Sequence, residues 1–292
     1  MSKAECHGHI ILDGIDYKKA VAVHSGGVNQ DVIKERLDAC RRQGITFYRE
    51  GGDAMGVSAC AASIAPQFGI DYRTPLFAIH KNGHYGSMFG RGFDTIEEYE
   101  QLVREVKEEG GDFIKIMITG IMDFHTYGRI TGGTLEQPMI QDMIQAAHET
   151  GFAVMAHTNT AEQIRRALEA GADTIEHGYY MDEECLRLFL ARRAVWVPTF
   201  APVAQAGKSG LFPTEVISRI LALHRENLRK AVSMGVLVAC GSDAGSFMVP
   251  PDTGCRMEQA RMEQAVPADL LPRLRELTAQ GLEEIRRRFA RN

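Results

Sequence analysis

The chain has 292 residues, of which 45% are hydrophobic and 24% are charged. These fractions are close to those of average soluble proteins, so they exclude a disordered, collagen-like or coiled-coil chain. The 33 Lys and Arg residues against 38 Asp and Glu residues give a formal net charge of −5. This balance argues against nucleic acid or an acidic membrane as the main partner. We therefore expect a small-molecule ligand.

The sequence also indicates where in the cell the protein is expected. No apolar run approaches the roughly 20 residues of a membrane span, and the start, MSKAECHGHI, lacks the charged-then-apolar pattern of a secretory signal. The six cysteines are scattered and include no CxxC pair, which is more typical of reduced thiols than of a disulfide framework. We expect a cytoplasmic protein with no membrane partner.

Eight β-rich segments recur along the chain, with helix-like segments between them. The β-rich segments begin at Cys6, Gly44, Thr74, Phe113, Phe152, Asp173, Val195 and Val236, and amphipathic helices are expected after Asn29, Thr95, Thr160, Pro213 and Pro267. Strands that alternate with helices predict parallel β-α-β units. At roughly 36 residues per unit, the pattern favours a single-domain (β/α)₈ TIM barrel that covers residues 1–292.

Polar residues stand at the ends of several of these segments. His7 and His9 flank one glycine on the first strand, and strand residues two apart project from the same face. His157, His177 and Asp243 end the fifth, sixth and eighth segments, which is where a barrel places its catalytic groups. Neutral imidazoles and a carboxylate are ligands for a divalent metal, most readily zinc.

Lys115 lies inside the apolar run FIKIMIT of the fourth segment. A lone ammonium there would be costly to bury. Two explanations remain open from the residues alone. The lysine could form a salt bridge with a nearby carboxylate, or it could react with carbon dioxide to give a carbamate, whose two anionic oxygens could bridge two cations.

This pattern of residues resembles the amidohydrolase superfamily of metal-dependent hydrolases. Within it, FIKIMITG, AHTNTAEQIRRALEAGADTIEHG and VPTF are similar to the branch of imidazolonepropionase-like and prolidase-like enzymes. The resemblance implies two divalent ions bridged by a hydroxide and by carbamylated Lys115. The remaining implied ligands are His7, His9 and Asp243 for the first ion and His157 and His177 for the second. It also implies that Asp243 accepts the proton of water and passes it to the leaving amine.

The sequence differs from this branch at its two ends. Related enzymes often carry a longer segment before the HxH strand and finish with strands that complete a small β-sandwich. Here the first histidine is residue 7, and the last segment reads as a helix. We therefore expect a barrel without the sandwich domain.

Three loop residues are predicted as substrate contacts. His84 follows the third strand in a long glycine-rich loop, HKNGHYGSMFGRGFD, which has the composition of a mobile substrate cover. Tyr180 comes three residues after His177, where the prolidase-like branch tends to place a tyrosine near the substrate carboxylate. Arg129 follows the fourth strand, and its planar guanidinium suits a carboxylate. The alternatives are an exposed loop histidine for His84 and a structural role for Tyr180.

These observations favour a metal-dependent amidohydrolase that cleaves a C–N bond in a small substrate such as a dipeptide or an N-acyl amino acid. A lactonase or phosphoesterase is the alternative enzyme, because the same hydroxide would attack any polarised carbonyl or phosphoryl centre. A non-catalytic barrel that binds a metal or small molecule is the alternative of another class, and it predicts that a ligand position is missing. The sequence leaves open whether the chain forms a homo-oligomer.

Overall fold

Parallel strands alternate with helices through residues 3–290, the part of the chain that this computed structural model describes. The strands are β1 (Lys3–Gly8), β2 (Ile45–Glu50), β3 (Asp71–Arg73), β4 (Ala78–Lys81), β5 (Gly90–Phe93), β6 (Ile114–Met117), β7 (Thr119–Met122), β8 (Ile130–Thr134), β9 (Val154–Thr160), β10 (Thr174–Tyr180) and β11 (Val195–Val197). The helices are α1 (Tyr17–Ala22), α2 (Gln30–Arg42), α3 (Val57–Ile64), α4 (Ile96–Glu108), α5 (Gln137–Glu149), α6 (Ala161–Ala170), α7 (Glu183–Arg192), α8 (Phe200–Ser209), α9 (Thr214–Met234), α10 (Gly254–Ala265) and α11 (Leu271–Arg288). Two short 3₁₀ helices span Ala65–Phe68 and Ala268–Leu270.

The strands form the predicted TIM barrel. β1 pairs with β2 and β2 with β3, while β11, β10, β9, β6 and β4 are neighbours in that order, all in parallel. The third predicted segment, which begins at Thr74, contains β4. β3 lies just before that segment, and Leu76, whose φ is 66°, stands in the break between β3 and β4. The barrel fold class is therefore confirmed.

The eighth predicted strand closes the barrel without forming a regular strand. Trp196 N donates to Leu237 O at 2.9 Å, and Cys6 N donates to Cys240 O at 2.9 Å. The segment 236–240 therefore lies between β11 and β1. We call it the closing segment.

The five predicted helices are present as α2, α4, α6, α9 and α11. α4 begins with a capping box between Thr95 and Glu98, which satisfies backbone N–H groups that have no partner inside the helix. α6 and α9 end at Gly171 and Gly235, both with positive φ. The largest hydrophobic cluster joins the buried faces of α4, α6, α9 and α11 to the strands, while α2 packs in a second cluster.

Additional strands build up the carboxyl-terminal side of the barrel. The glycine-rich loop after β4 contains β5, which pairs in parallel with β4. The loop after β6 forms the antiparallel hairpin of β7 and β8. Within residues 3–290 no helix is both long enough and apolar enough to span a membrane.

Candidate metal centre and active site

The first strand carries two histidines into the barrel. His7 lies in β1 and His9 follows it directly, and both are almost completely buried. Their Nε2 atoms lie 3.6 and 3.5 Å from Oδ1 of Asp243. Gly8 between them is required by packing, because a Cβ at this position would lie 2.2 Å from the hydroxyl of Tyr48. The HxH spacing thus places both imidazoles at one carboxylate.

Two of the candidate ligands depend on an unusual backbone conformation. In β10 the side chain of Glu176 faces the barrel interior, so strand alternation would turn His177 outward. His177 has a φ of 69°, and the pairing of β10 with β9 is irregular directly after it. Its ring lies 4.9 Å from that of His7, inside the barrel. Asp243 likewise has a φ of 55°. Such left-handed backbone costs about 1–3 kcal/mol and is typical of functional sites.

A buried network fixes the ring of His7. Its Nδ1 lies 2.7 Å from Oε2 of Glu176. The other oxygen of Glu176 accepts hydrogen bonds from Arg49 at 2.8 Å and from Thr174 at 2.5 Å. Arg49 and Glu176 have no exposed side-chain surface. Because the carboxylate holds Nδ1, Nε2 is the ring nitrogen left for a metal ion.

His157 and His177 are also each held at one ring nitrogen by a hydrogen bond. His177 Nδ1 lies 2.7 Å from the hydroxyl oxygen of Thr199, and the Tyr179 hydroxyl donates to the Thr199 carbonyl at 2.6 Å. His157 Nε2 lies 3.2 Å from the carbonyl oxygen of Gly120. The rings of His157 and His177 are 4.5 Å apart. Each ring therefore keeps one nitrogen for a ligand bond.

Lys115 extends from β6 into the same region and is 1% exposed. Among the described residues its Nζ has no hydrogen-bond partner and forms no ion pair within 4.0 Å. Burial lowers the pKa of Lys115 to about 8, although Glu176 and Asp243 act in the opposite direction. The salt bridge considered from the sequence is not formed. An unpartnered amine with a lowered pKa fits a lysine that reacts with carbon dioxide, because the neutral amine is the nucleophile.

The protonation states also fit a metal centre. Burial lowers the pKa of His9 and of His157 to about 3, and it lowers the pKa of His7 and of His177 well below the usual value. The Lys115 ammonium lowers the pKa of all four further. All four imidazoles are therefore neutral near pH 7, which is the form that binds metal. Burial raises the pKa of Asp243 to about 7, while Lys115 opposes this effect.

The donor set as a whole can hold divalent ions. One donor atom each from His7, His9 and Asp243 lies within 4.8 Å of the others. His157 and His177 stand on the adjacent strands β9 and β10, and Lys115 stands on β6, which pairs with β9. The structure therefore brings the six sequence-predicted ligand positions into one region. Imidazole nitrogens with a carboxylate are a donor set that suits zinc.

These six residues form the floor of a cavity of about 780 Å³. Above the floor the walls are mainly apolar and aromatic. The wall residues include Leu12, Tyr85, Phe89, Met117, Met122, Phe124 and Pro202. The cavity therefore offers a reaction site at its base and apolar surface around it.

The three predicted substrate contacts do not line this cavity. The Tyr180 hydroxyl instead accepts a hydrogen bond from Gly128 N at 3.0 Å. Arg129 is 65% exposed and lies 3.6 Å from Asp123. The ring of His84 packs against Gly133. The cavity surface comes instead from Tyr85, next to His84, and from Tyr179, next to Tyr180.

The sequence of the chain carries the signature of a known family. The amidohydrolase family matches residues 16–278, which is most of the chain. This chain belongs to the amidohydrolase family. Ochratoxinase of Aspergillus niger is 24% identical over 274 residues, which cover 82% of this chain and 56% of that enzyme. The chain thus spans little more than half the length of this curated relative.

Solved amidohydrolase-like structures share the fold. A Xaa-Pro dipeptidase with bound methionine in its active site superimposes with a TM-score of 0.76 at 22% identity, over 98% of this chain and 75% of that chain. The Aspergillus niger ochratoxinase structure gives a TM-score of 0.76 at 19% identity, over 97% of this chain and 71% of that chain. At these identities the likeness supports the barrel assignment alone.

Several residues of this amidohydrolase site were not foreseen from the sequence. Glu176 and Thr199 orient ligand histidines, and Arg49 holds Glu176. Glu176 stands directly before His177, and a carboxylate on the inward face of a barrel strand is the signal that could have indicated it. Arg49 and Thr199 carry no comparable local signal, since their contacts depend on the closed barrel.

Proposed function

We propose that this protein is a metal-dependent hydrolase that cleaves a C–N bond of a small substrate, such as a dipeptide or an N-acyl amino acid. One observation carries the proposal: four buried histidines, a carboxylate and an unpartnered buried lysine converge at the floor of a single cavity. Membership of the amidohydrolase family supports the same reaction class.

The ligand assignment is the one that the family resemblance implies, and the grouping of His7, His9 and Asp243 supports it. His7, His9 and Asp243 would hold one ion, and His157 and His177 a second, with carbamylated Lys115 between them. Zinc is the ion that this donor set suits best. When bound, such ions polarise a carbonyl group and lower the pKa of water to about 7.

Asp243 would move the proton. Its carboxylate lies beside both Nε2 atoms of the HxH pair, and its side chain is 20% exposed to the cavity while the histidines are buried. A carboxylate in this position can take a proton from water and deliver it to a leaving nitrogen on the same side of the substrate. The apolar cavity wall would hold the rest of the substrate.

One structural neighbour supports an amide substrate. That neighbour is a Xaa-Pro dipeptidase that binds methionine in its active site, which is an amino acid of the kind that dipeptide hydrolysis releases. By analogy, cleavage of a dipeptide or an N-acyl amino acid would leave an amino acid product at the floor of this cavity.

The proposal is tested by loading the protein with zinc in the presence of bicarbonate. Dipeptides, N-acyl amino acids and lactones are then offered in parallel, and product amine or acid is measured. We expect turnover of at least one amide class. Turnover of lactones alone would overturn the amidase assignment. Fewer than one bound divalent ion per chain, by elemental analysis, would instead support a non-catalytic barrel.

A further inference from the structure

The mouth of the cavity is unusually apolar. Eight large hydrophobic side chains are exposed among the described residues, and five of them line this cavity. We call these five the apolar rim: Ile15, Tyr17, Met88, Ile121 and Phe247. Ile15 is 81% exposed and Phe247 is 44% exposed. Exposed apolar surface concentrated at one place on a soluble protein marks a binding site.

The rim is assembled from four separate parts of the chain. Ile15 and Tyr17 follow β1, Met88 stands between β4 and β5, Ile121 lies in β7, and Phe247 follows the closing segment. All four parts are at the carboxyl-terminal side of the barrel. The apolar side chains therefore surround the opening and do not form a stripe along one helix.

Aromatic side chains connect the apolar rim to the candidate metal ligands at the floor of the cavity. The ring of Phe89, one residue after Met88, lies 4.3 Å from the ring of His9. Tyr85 packs between Phe89 and His157, with ring centroids 6.2 and 5.3 Å away. A molecule that reaches the floor must therefore pass along aromatic surface.

Charged groups contribute little above the floor. The only charged side chains that line the upper cavity within the described residues are Asp16 and Lys19. They lie 3.6 Å from each other, and their side chains are 40% and 83% exposed. No arginine lines the cavity in residues 3–290. The upper cavity therefore lacks a buried cation that would select a small, highly charged substrate.

We propose that the substrate carries a bulky apolar or aromatic group on one side of the scissile bond, and that this group packs on the apolar rim. The proposal rests on the proposed function, because it assumes that the reacting carbonyl is held at the floor. A volume of about 780 Å³ is in the range of pockets that enclose drug-sized ligands and exceeds what a small dipeptide fills. The continuity of the rim with the floor favours a substrate over a second copy of the chain.

Binding is measured separately from catalysis with uncleavable ketones in which CH₂ replaces the amide N–H. On the zinc-loaded full chain, titration calorimetry compares 4-(2-naphthyl)-4-oxobutanoate with 4-oxopentanoate, and 1-(2-naphthyl)propan-2-one with butan-2-one. The first pair tests an apolar acyl side and the second an apolar amine side. We expect the naphthyl member of at least one pair to bind about tenfold tighter or more.

The rim itself is tested with Ile15→Ser combined with Phe247→Ser. Both side chains are exposed, so the fold should tolerate the change. Leu211→Ser is the matched control, because Leu211 is 64% exposed and does not line the cavity. We expect the double variant to lose roughly threefold to tenfold in affinity for the naphthyl ketone while the control is unchanged. Affinity for the small ketone should not change in either.

The outcomes separate this inference from the proposed function. Equal binding of naphthyl and small ketones, or equal binding by the double variant and the control, would overturn the rim inference even if amides are hydrolysed. Rim-dependent naphthyl binding without hydrolysis of N-(2-naphthoyl)glycine or N-acetylglycine would support the inference and contradict the proposed function. A dimer in solution that the double variant dissociates, with naphthyl affinity unchanged, would assign the rim to self-association.

Discussion

At the scale of single residues, hydrogen bonds decide which histidine nitrogens are free to bind metal. His177 is the clearest case, since a left-handed backbone turns its side chain into the barrel and the Thr199 hydroxyl then fixes the ring. Thr199 itself has a φ of 53° and is completely buried. The backbone is therefore strained both at His177 and at Thr199, the two residues whose contact orients this one candidate ligand.

Replacing the Thr199 hydroxyl should therefore weaken metal binding. Thr199→Val keeps the branched shape and removes the oxygen that holds His177. We expect zinc affinity to fall about 10-fold to 100-fold, the usual effect of losing such a partner, as measured by competition with a chelator. Thr199→Ser is the control and should stay within a few-fold of the natural protein. Unchanged affinity in the valine variant would mean that packing alone orients His177.

Asp243 should be separable as a ligand and as a proton carrier. Asp243→Asn retains an oxygen that can bind metal and cannot accept a proton in the same way. We expect the variant to keep much of its zinc and to lose about 100-fold or more in kcat, the range for general acid–base catalysis. Metal content and turnover are measured on the same sample. Full activity would remove Asp243 from the proton-transfer step.

At the scale of elements, Thr199 contacts His177 and does not cap α8, the helix that begins directly after it. Thr199 is the residue before α8 and makes no side-chain hydrogen bond to that helix. Glu258 of α10 supplies the missing acceptor, since its Oε2 receives the N–H of Ala201 at 2.8 Å. Within residues 3–290 the other oxygen of Glu258, Oε1, has no hydrogen-bond partner. α10 is therefore tied to the strand end that positions His177.

This arrangement predicts a pH dependence of stability. Burial raises the pKa of Glu258 to about 8, above its unfolded value of 4.5. The folded state then holds a proton that the unfolded state has lost, so this contribution to stability is complete below about pH 4.5 and disappears as the pH rises through 8. A tenfold difference in proton affinity between the folded and unfolded states corresponds to about 1.4 kcal/mol.

Glu258→Gln should remove that dependence. We expect the variant and the natural protein to differ little in unfolding free energy near pH 5. Near pH 9 the variant should be the more stable by on the order of a few kcal/mol. Chemical denaturation at both pH values provides the measurement, and the difference between the two proteins cancels the contributions of other buried carboxyls. If the difference in unfolding free energy between the two proteins were the same at both pH values, the pKa of Glu258 in the folded protein would not lie between pH 5 and pH 9.

At the scale of the whole molecule, the sequence was sufficient for the barrel and for the placement of the six candidate ligand residues at one cavity. Both follow from local periodicity: strands recur with helices between them, and residues such as His157 and Asp243 end them. The cavity walls could not be predicted in this way, because they depend on the paths of loops. Tyr180 shows why, since its position in HGYY is not distinctive and only the hairpin of β7 and β8 decides that it contacts Gly128.

Metal binding should stabilise the entire barrel, because its ligands stand on β1, β6, β9, β10 and after the closing segment. A ligand at 100 times its dissociation constant stabilises the folded state by about 2.7 kcal/mol. We expect zinc to raise the melting temperature by several degrees over a chelator-treated sample, followed by calorimetry. His157→Ala should reduce this rise, and His125→Ala, an exposed histidine outside the cavity, should not. An equal rise in both variants would place the zinc elsewhere.

The closing segment has one further consequence. It lies between β11 and β1, where Val238 pairs with Trp196 and Cys240 O accepts from Cys6 N, and Asp243 comes three residues after it. A nascent chain therefore exposes the HxH pair early and acquires the carboxylate only after seven barrel strands have left the ribosome. The donor set of His7, His9 and Asp243 is therefore complete only once the barrel can close.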